Sequence, residues 1–228
     1  MRIDKLLSQL KYGSRSDIKK IMAKGDVFIN DVMVKDSATN VDPYVDHILI
    51  NGETLFYKDP IYLALNKPIG YLSANHDAMH PCITELIKPP YHRFDFAMAG
   101  RLDLDAEGLM ILTTDGSFAH QITHPKYHLP KTYEVILDKP LTHQKTLLKG
   151  VTINDGKNEP FIAKALEVSV EKNCVKLTID EGKFHQVKRM FKAVGYDVIN
   201  LKRIQIGKLK LNDIPKGSYI EVRREDIS

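Results

Sequence analysis

The order of strand-like segments in residues 61–228 most strongly limits the fold. Five runs rich in β-branched, aromatic and aliphatic residues are bounded by glycine, proline, asparagine or aspartate, as strands commonly are. These runs are YLALNKP, KTYEVIL, AKALEVSV, CVKLTID and SYIEVRR. They do not alternate regularly with helical segments, which argues against a doubly wound parallel sheet. We therefore predict an α+β fold whose larger part is a mixed, mainly antiparallel β-sheet flanked by helices.

Three segments of this larger part show helical periodicity. Apolar residues recur at helical spacing in residues 109–113, in residues 118–122 and in residues 186–194. The sequence predicts a helix at each of these places. The apolar run at residues 109–112 is expected to lie in the core.

The first 25 residues predict two short helices. Apolar residues recur at helical spacing between Ile3 and Leu10. Ser14 and Asp17 then match a Ser-x-x-Asp capping box, which satisfies free backbone N–H groups where a helix begins. Gly25 is expected to end this second helix.

Short strands and a linker follow the two helices. Residues 27–34 and 47–53 alternate apolar and polar side chains and contain turn residues. The Asp-Pro pair in residues 56–60 disfavours continued regular structure. The sequence therefore predicts three parts: an αα-hairpin with small strands in residues 1–57, a linker in residues 58–60, and the larger domain in residues 61–228.

Positive charge is concentrated in two segments of a nearly balanced chain. The chain has 33 Lys and Arg residues against 29 Asp and Glu residues, a formal net charge of +4. Residues 1–24 contain seven basic and two acidic residues, and residues 183–210 contain eight basic residues and one acidic residue. Two separated basic segments favour two contacts with one polyanion, although either segment alone fits a solvated face.

The composition favours a cytoplasmic protein with no membrane partner, and we expect a monomer. The N-terminus lacks the apolar run of a signal peptide, and no stretch is long and apolar enough to span a membrane. Cys82 and Cys174 are far apart in the sequence and match no disulfide or zinc pattern. Such cysteine usage fits a reducing compartment.

Residues 99–116, AGRLDLDAEGLMILTTDG, carry the most informative pattern. An Arg-Leu-Asp turn precedes Gly108, an apolar run and a second turn, which together would hold Asp103 on a tight loop. Taken alone, an aspartate in such a turn is more often a solvated or capping residue. Three further segments favour a functional role for Asp103 over a solvated or capping one. They are LNKPIGYLSA, PKTYEV and DEGKFHQVKRMFKAVGY.

These four segments, in the order in which they occur along the chain, resemble those of the ribosomal small-subunit pseudouridine synthases of the A type. The resemblance covers essentially the whole chain. The N-terminal segments R-I-D-K-L-L, S-R-S and G-D-V-F-I-N resemble the S4 RNA-binding domain over roughly residues 1–55. The resemblance implies an enzyme that isomerises one uridine of 16S ribosomal RNA to pseudouridine. Its expected partner is small-subunit ribosomal RNA or an assembly intermediate of it.

The resemblance also implies roles for individual residues. Asp103 corresponds to the catalytic aspartate, and Lys188 to the basic residue that pairs with it. Tyr133 corresponds to the tyrosine that packs on the uracil ring, and Arg101 to the side chain that replaces the flipped base in the RNA stack. The other residues that we expect to contact RNA are Arg2, Lys5, Arg15, Lys19, Lys20 and Arg189.

The chemistry of the reaction asks for the same residue types. The C1′–N1 bond must break, the base must turn, and C5 must join C1′, which a carboxylate can assist as a nucleophile or by proton transfer. No cofactor and no metal is required. A nearby cation favours the charged form of an enclosed carboxylate. The target base must leave its stack, and an aromatic face and an inserted arginine partly offset the lost stacking.

Three alternatives compete with this interpretation. A large-subunit synthase would share the architecture, but Phe184, His185, Gln186 and Lys188 favour the small-subunit type. A non-catalytic RNA-binding or ribosome-assembly protein would use only the S4-like module. A glycoside hydrolase would need two cooperating carboxylates.

One acidic pair and one basic pair in the sequence also bear on function. Asp103 and Asp105 are two residues apart, and side chains at that spacing in an extended segment point in opposite directions, which argues against a hydrolase pair. Lys202 and Arg203 are expected either to bind phosphate or to be solvated.

Overall fold

The computed structural model describes residues 1–228 except for the side chain of Pro125, and the chain it describes divides into two units. The N-terminal unit comprises Met1–Pro60 and Lys88–Asp95, and the larger unit comprises Ile61–Ile87 and Phe96–Ser228. The return of Lys88–Asp95 to the N-terminal unit is not evident from the sequence.

The N-terminal unit is a helical hairpin packed on a small antiparallel sheet. The elements are α1 (Ile3–Gln9), α2 (Arg15–Lys24), β1 (Val27–Ile29), β2 (Val32–Met33), β3 (Ile48–Ile50) and β4 (Glu53–Thr54). The sheet order is β2-β1-β3-β4. A single apolar core joins helices and sheet, with Ile3, Leu6, Leu7, Ile18, Met22, Val27, Ile48 and Ile50 all buried.

Local hydrogen bonds define the ends of α2 as the sequence predicts. The Ser14 hydroxyl accepts a hydrogen bond from the Asp17 N–H at 3.3 Å, and the Asp17 carboxylate accepts one from the Ser14 N–H at 3.1 Å. Gly25 ends the helix in the left-handed region with φ 84°. The predicted capping box and helix end are therefore confirmed.

The larger unit is built around a central sheet. Its strands are β5 (Tyr62–Lys67), β6 (Ala97–Met98), β7 (Glu107–Thr113), β8 (Lys131–Leu137), β9 (Val151–Asn154), β10 (Pro160–Ala163), β11 (Glu167–Glu171), β12 (Cys174–Ile179), β13 (Val198–Ile206), β14 (Leu209–Lys210) and β15 (Tyr219–Glu221). The order in the central sheet is β11-β12-β8-β13-β7-β5-β15; in addition, β14 pairs with β13, and β6 pairs with β7. Neighbouring strands are antiparallel except for β13 with β7, which are parallel. Strands β9 and β10 form a separate hairpin.

Three α-helices in the described part of the larger unit accompany this sheet, and the fold is α+β as predicted. They are α3 (Gly116–Thr123), α4 (Gln144–Lys149) and α5 (Gln186–Ala193). The helices predicted at residues 118–122 and 186–194 are confirmed as α3 and α5. None of the helices in the described part of the chain is both long and apolar enough to cross a membrane.

The helix predicted at residues 109–113 is wrong, because these residues form most of strand β7. Every residue of Glu107–Thr113 is buried, and the strand pairs with β5 on one side and with β13 and β6 on the other. A strand buried on both faces is apolar at consecutive positions, so its sequence cannot be distinguished from a short buried helix by periodicity alone. The prediction that residues 109–112 are core is confirmed.

Candidate active site

A cavity of about 630 Å³ opens within the larger unit. Its wall includes residues from the loop between β6 and β7, from β8 and β13, and from the segment before α5. Among them are Arg101, Asp103, Lys131, Tyr133, His185 and Arg203. The volume lies within the range typical of small-ligand sites.

The loop that carries Asp103 is held by hydrogen bonds to its backbone. Ser73 is buried, and its hydroxyl donates to the Leu102 carbonyl at 2.7 Å and accepts from the Leu102 N–H at 3.0 Å. The Gly70 N–H donates to the Leu104 carbonyl at 2.8 Å. The two residues that flank Asp103 are therefore both anchored to the segment after β5.

A buried lysine anchors the far end of the same loop. Lys67, at the end of β5, is fully buried, and its ammonium donates to the Ala106 carbonyl at 2.7 Å and to the Pro68 carbonyl at 3.1 Å. Burial lowers the pKa of Lys67 to about 8, and the negative charge of Asp103 opposes that decrease. Lys67 was not singled out from the sequence, although it lies in the quoted segment LNKPIGYLSA.

The Asp103 carboxylate lies between two nitrogen atoms from the start of α5. His185 Nε2 is 3.3 Å from Asp103 Oδ1, and Lys188 Nζ is 3.3 Å from Asp103 Oδ2. His185 precedes the helix in the left-handed conformation, with φ 50°, and its ring stacks on Phe184. One side chain on each carboxylate oxygen fixes the orientation of the group.

Lys188 contacts a second carboxylate, that of Asp105, at 2.5 Å. Residues 104–105 form a turn and not an extended segment, so the two carboxylates reach the same ammonium and do not point in opposite directions. The expectation that only one of them faces the pocket is confirmed. Asp103 lines the cavity, whereas the Asp105 side chain is 71% exposed. The hydrogen bond from Lys188 holds the pKa of Asp105 below its ordinary value.

Strand β8 supplies another part of the cavity wall. Its residues alternate between buried and partly buried, so Lys131 and Tyr133 lie on the same face, and both line the cavity. Tyr133 is only 6% exposed. The Lys131 ammonium donates to the Leu129 carbonyl at 2.9 Å, and burial lowers the pKa of Lys131 to about 8. The cavity thus offers an aromatic ring and a buried cation.

For Arg203, both expectations from the sequence, a phosphate contact or a solvated side chain, are wrong. Its side chain is neither solvated nor free for phosphate, since Arg203 is 1% exposed. Its guanidinium donates to backbone carbonyls of residues 100, 101 and 109. A signal was available, because Arg203 follows Leu201 at the two-residue spacing of a buried strand face.

The other predicted RNA-contacting residues lie in different surroundings. Lys5, Arg15 and Lys19 are exposed in the N-terminal unit. Arg2 pairs with Asp4 at 2.7 Å and Lys20 with Asp17 at 3.6 Å. In the larger unit, Arg101 is exposed at the cavity.

Arg189 contacts the β9–β10 hairpin. Its guanidinium donates to the carbonyls of Asn154 at 2.5 Å and Asp155 at 2.8 Å, and it lies 4.9 Å from the Phe184 ring centre. These contacts direct Arg189 to the hairpin, while Lys188 contacts Asp103.

Comparison with protein families identifies both parts of the chain. The family model described as RNA pseudouridylate synthase matches residues 61–193, which is more than half of the chain. The chain belongs to the RNA pseudouridylate synthase family. The S4 domain model matches residues 1–43 of this pseudouridine synthase.

Relatives match this pseudouridine synthase along its whole length. An uncharacterized RNA pseudouridine synthase of Bacillus subtilis is 41% identical over 231 residues, covering 100% of this chain and 97% of the relative. Ribosomal small subunit pseudouridine synthase A of Escherichia coli K12 is 36% identical over 234 residues, covering 100% and 99%. A crystal structure of a pseudouridylate synthase matches with a TM-score of 0.66 and 34% identity, covering 99% and 97%.

The contact between Lys188 and Asp105 generates a prediction for this pseudouridine synthase. Lys188→Met removes the hydrogen bond and charge, so the pKa of Asp105 should rise towards its ordinary value of 3.8. A carboxylate with a lowered pKa contributes stability above its ordinary pKa, and that contribution is lost as the pH falls through the lowered pKa. The Lys188→Met variant should therefore lack this contribution. Carbon-13 NMR titration of the aspartate carboxyl groups measures the shift.

Lys192→Met is the matched control, because Lys192 lies on the same helix and pairs with Asp197 at 2.8 Å. In that variant the pKa of Asp197 should rise while Asp105 titrates as in wild type. An unchanged Asp105 titration in Lys188→Met would contradict the contact.

Proposed function

We propose that this pseudouridine synthase converts one uridine of small-subunit ribosomal RNA to pseudouridine, with Asp103 as the catalytic carboxylate. The position of Asp103 carries the proposal. It lies at the cavity together with Tyr133, with one oxygen 3.3 Å from His185 Nε2 and the other 3.3 Å from Lys188 Nζ. An oriented carboxylate in a cavity large enough to admit a nucleotide is what the reaction needs.

The reaction rearranges one nucleotide and consumes nothing. The C1′–N1 bond breaks, the uracil turns, C5 joins C1′, and the proton lost from C5 is balanced by one gained at N1. Asp103 assists this exchange as a nucleophile or by moving a proton at the sugar, and both roles need an ionised carboxylate. Lys188 supplies the compensating positive charge.

Two other residues act on the flipped nucleotide. A uridine reaches the cavity only after it leaves its stack, at a cost of a few kcal/mol. Tyr133 offers an aromatic face for the uracil, and exposed Arg101 is free to occupy the gap left in the RNA. Arg189 contributes positive charge beside the β9–β10 hairpin.

The proposal that the substrate is small-subunit RNA rests on the names of full-length relatives and on the sequence of residues 184–188. Three full-length relatives named ribosomal small subunit pseudouridine synthase A, from Pasteurella multocida, Yersinia pestis and Escherichia coli, are 36% to 37% identical to this chain. Phe184, His185, Gln186 and Lys188 match the small-subunit form of the last motif. A large-subunit target is the second candidate, since it would use the same site.

The N-terminal unit is proposed to bind the same RNA. We assign residues 1–57 to RNA binding, residues 58–60 to a linker, and residues 61–228 to catalysis. The S4 match and the exposed side chains of Lys5, Arg15 and Lys19 support the first assignment. We include Arg2 and Lys20 in this surface, where their acidic neighbours would be displaced by phosphate.

The protein is proposed to act as a cytoplasmic monomer. Cys82 and Cys174 are free thiols, which fits the reducing conditions of the cytoplasm.

Asp103→Asn tests the catalytic proposal. The substitution keeps the shape of the side chain and removes its charge, so the single-turnover rate should fall by more than about 1,000-fold. Tritium release from RNA containing 5-³H-uridine measures the rate, with small-subunit and large-subunit RNA compared separately. RNA affinity should stay within about threefold of wild type.

Asp213→Asn is the control for this experiment, because Asp213 is an exposed aspartate outside the cavity lining. Its rate should equal that of wild type. Substantial turnover by Asp103→Asn would remove Asp103 from the catalytic role, and faster release from large-subunit RNA would reverse the choice of target.

A second experiment tests the RNA-binding surface of the N-terminal unit. Replacing Lys5, Arg15 and Lys19 together by glutamine should reduce the slope of log affinity against log salt. Each lost phosphate contact contributes roughly 0.7 to 0.9 to that slope, so the loss of three should reduce it by about 2.1 to 2.7. Fluorescence anisotropy with labelled ribosomal RNA fragments at several salt concentrations measures it.

The control removes three equivalent charges elsewhere. Lys145, Lys149 and Lys157 are exposed in the larger unit, outside the cavity lining. Their replacement by glutamine should leave most of the slope unchanged. If both triple variants changed the slope equally, the N-terminal unit would not be a specific RNA contact.

A further inference from the structure

Arg203 is a charged residue in the interior of the larger unit. It lies on β13 and is 1% exposed, whereas a buried strand position usually carries an aliphatic residue. Burial of a guanidinium is unfavourable unless its N–H groups find hydrogen-bond acceptors. The acceptors of Arg203 therefore indicate what it does.

Most of those acceptors are backbone carbonyls on both sides of the Asp103 loop, and the other is the Met110 sulfur, 3.0 Å from Arg203 Nη2. Arg203 Nη2 donates to the Gly100 carbonyl at 3.1 Å, and Nη1 donates to the Arg101 carbonyl at 3.4 Å. Arg203 Nε donates to the Leu109 carbonyl in β7 at 2.8 Å. One planar group thus connects the start of the loop to the strand that follows it.

Glycines at both ends of the loop make this connection possible. Gly108 is paired with Arg203 between parallel strands, and a Cβ atom at position 108 would lie 2.2 Å from the Arg203 carbonyl oxygen. A Cβ atom at position 100 would lie 3.5 Å from Arg203 Nη1. Both glycines have positive φ, 108° and 90°, which favours glycine.

We propose that Arg203 is a positioning residue that sets the place of Asp103 by holding the backbone of residues 100 and 101 from inside the protein. The inference rests on the proposed catalytic role of Asp103. The carbonyl of Arg101 is only two residues before Asp103, and Ser73 fixes Leu102 between them. Loss of the Arg203 contacts frees the start of the loop. Substitution of Arg203 does not alter Lys188 or His185, which contact Asp103.

The geometry of the guanidinium distinguishes this role from simple charge. Arginine presents several N–H donors in a fixed planar fork, whereas lysine is a compact point charge on a flexible stem. A lysine at position 203 would keep the positive charge but could not reach the carbonyls of residues 100, 101 and 109 together. Arg203→Lys should therefore behave more like Arg203→Met than like wild type.

The experiment measures three quantities for each variant: the single-turnover rate at saturating enzyme, the affinity for RNA and the thermal stability. Arg203→Met should lower the rate by about 100-fold, the typical effect of displacing a reacting group by about 1 Å. RNA affinity should stay within about threefold of wild type, because Arg203 is buried. Arg203→Lys should recover less than about a tenth of the lost rate.

Ile206→Ala controls for a general loss of stability. Ile206 is fully buried on the same strand, and its side chain belongs to the apolar core outside the cavity lining. The variant should lose thermal stability yet keep a rate near that of wild type. If Ile206→Ala, at equal loss of stability, slowed the reaction as much as Arg203→Met, Arg203 would be only a folding residue and the inference would be overturned.

Chemical rescue provides a readout that a purely structural role would not change. Arg203 lines the cavity, so millimolar guanidinium ion should enter the space left in Arg203→Ala and raise its rate, whereas ammonium ion should not. Wild type with the same additions corrects for effects on RNA binding. Absence of rescue together with a wild-type rate in Arg203→Met would contradict the proposal.

Asp103→Asn is measured in parallel so that the two proposals fail separately. An active Asp103→Asn would overturn the proposed function. An inactive Asp103→Asn with a fully active Arg203→Met would overturn only the positioning role. If Arg203→Met does not fold, Arg203→Lys decides the question, since a wild-type rate there would show that the fork is not needed.

Discussion

The hydrogen bonds that buried donors make to the backbone of residues 100–106 are the constraint on which the site depends. Ser73 and Lys67 come from one segment of the chain and Arg203 from a distant strand, and together they donate to the carbonyls of residues 100, 101, 102 and 106. A surface loop normally satisfies its carbonyls with water and moves. Here the interior of the protein provides the donors, so the loop adopts one conformation and Asp103 one position.

The second constraint is the start of α5. His185 and Lys188 contact opposite oxygens of Asp103, and Lys188 also contacts Asp105. Buried Lys131 and Arg203 line the same cavity, and buried Lys67 contacts the loop that carries Asp103. A carboxylate with a side-chain nitrogen 3.3 Å from each of its oxygens, among buried cations, is suited to nucleophilic or proton-transfer chemistry.

Much of this arrangement could be predicted from sequence, because its signals are local or carried by motifs. The capping box of Ser14 and Asp17 depends on residues three positions apart. The proximity of Lys188 to Asp103 was expected from the family resemblance. The role of Arg203 could not be predicted, because its acceptors lie about 100 residues away in the sequence. The strand at Glu107–Thr113 was missed because burial on both faces removes the two-residue alternation.

The most direct test of the central claim is a map of pseudouridines in ribosomal RNA from cells with and without this protein. The account predicts that one uridine of small-subunit RNA stays unmodified in cells that lack it. Wild-type protein should restore that pseudouridine, whereas Asp103→Asn should not. A loss confined to large-subunit RNA, or restoration by Asp103→Asn, would contradict the account.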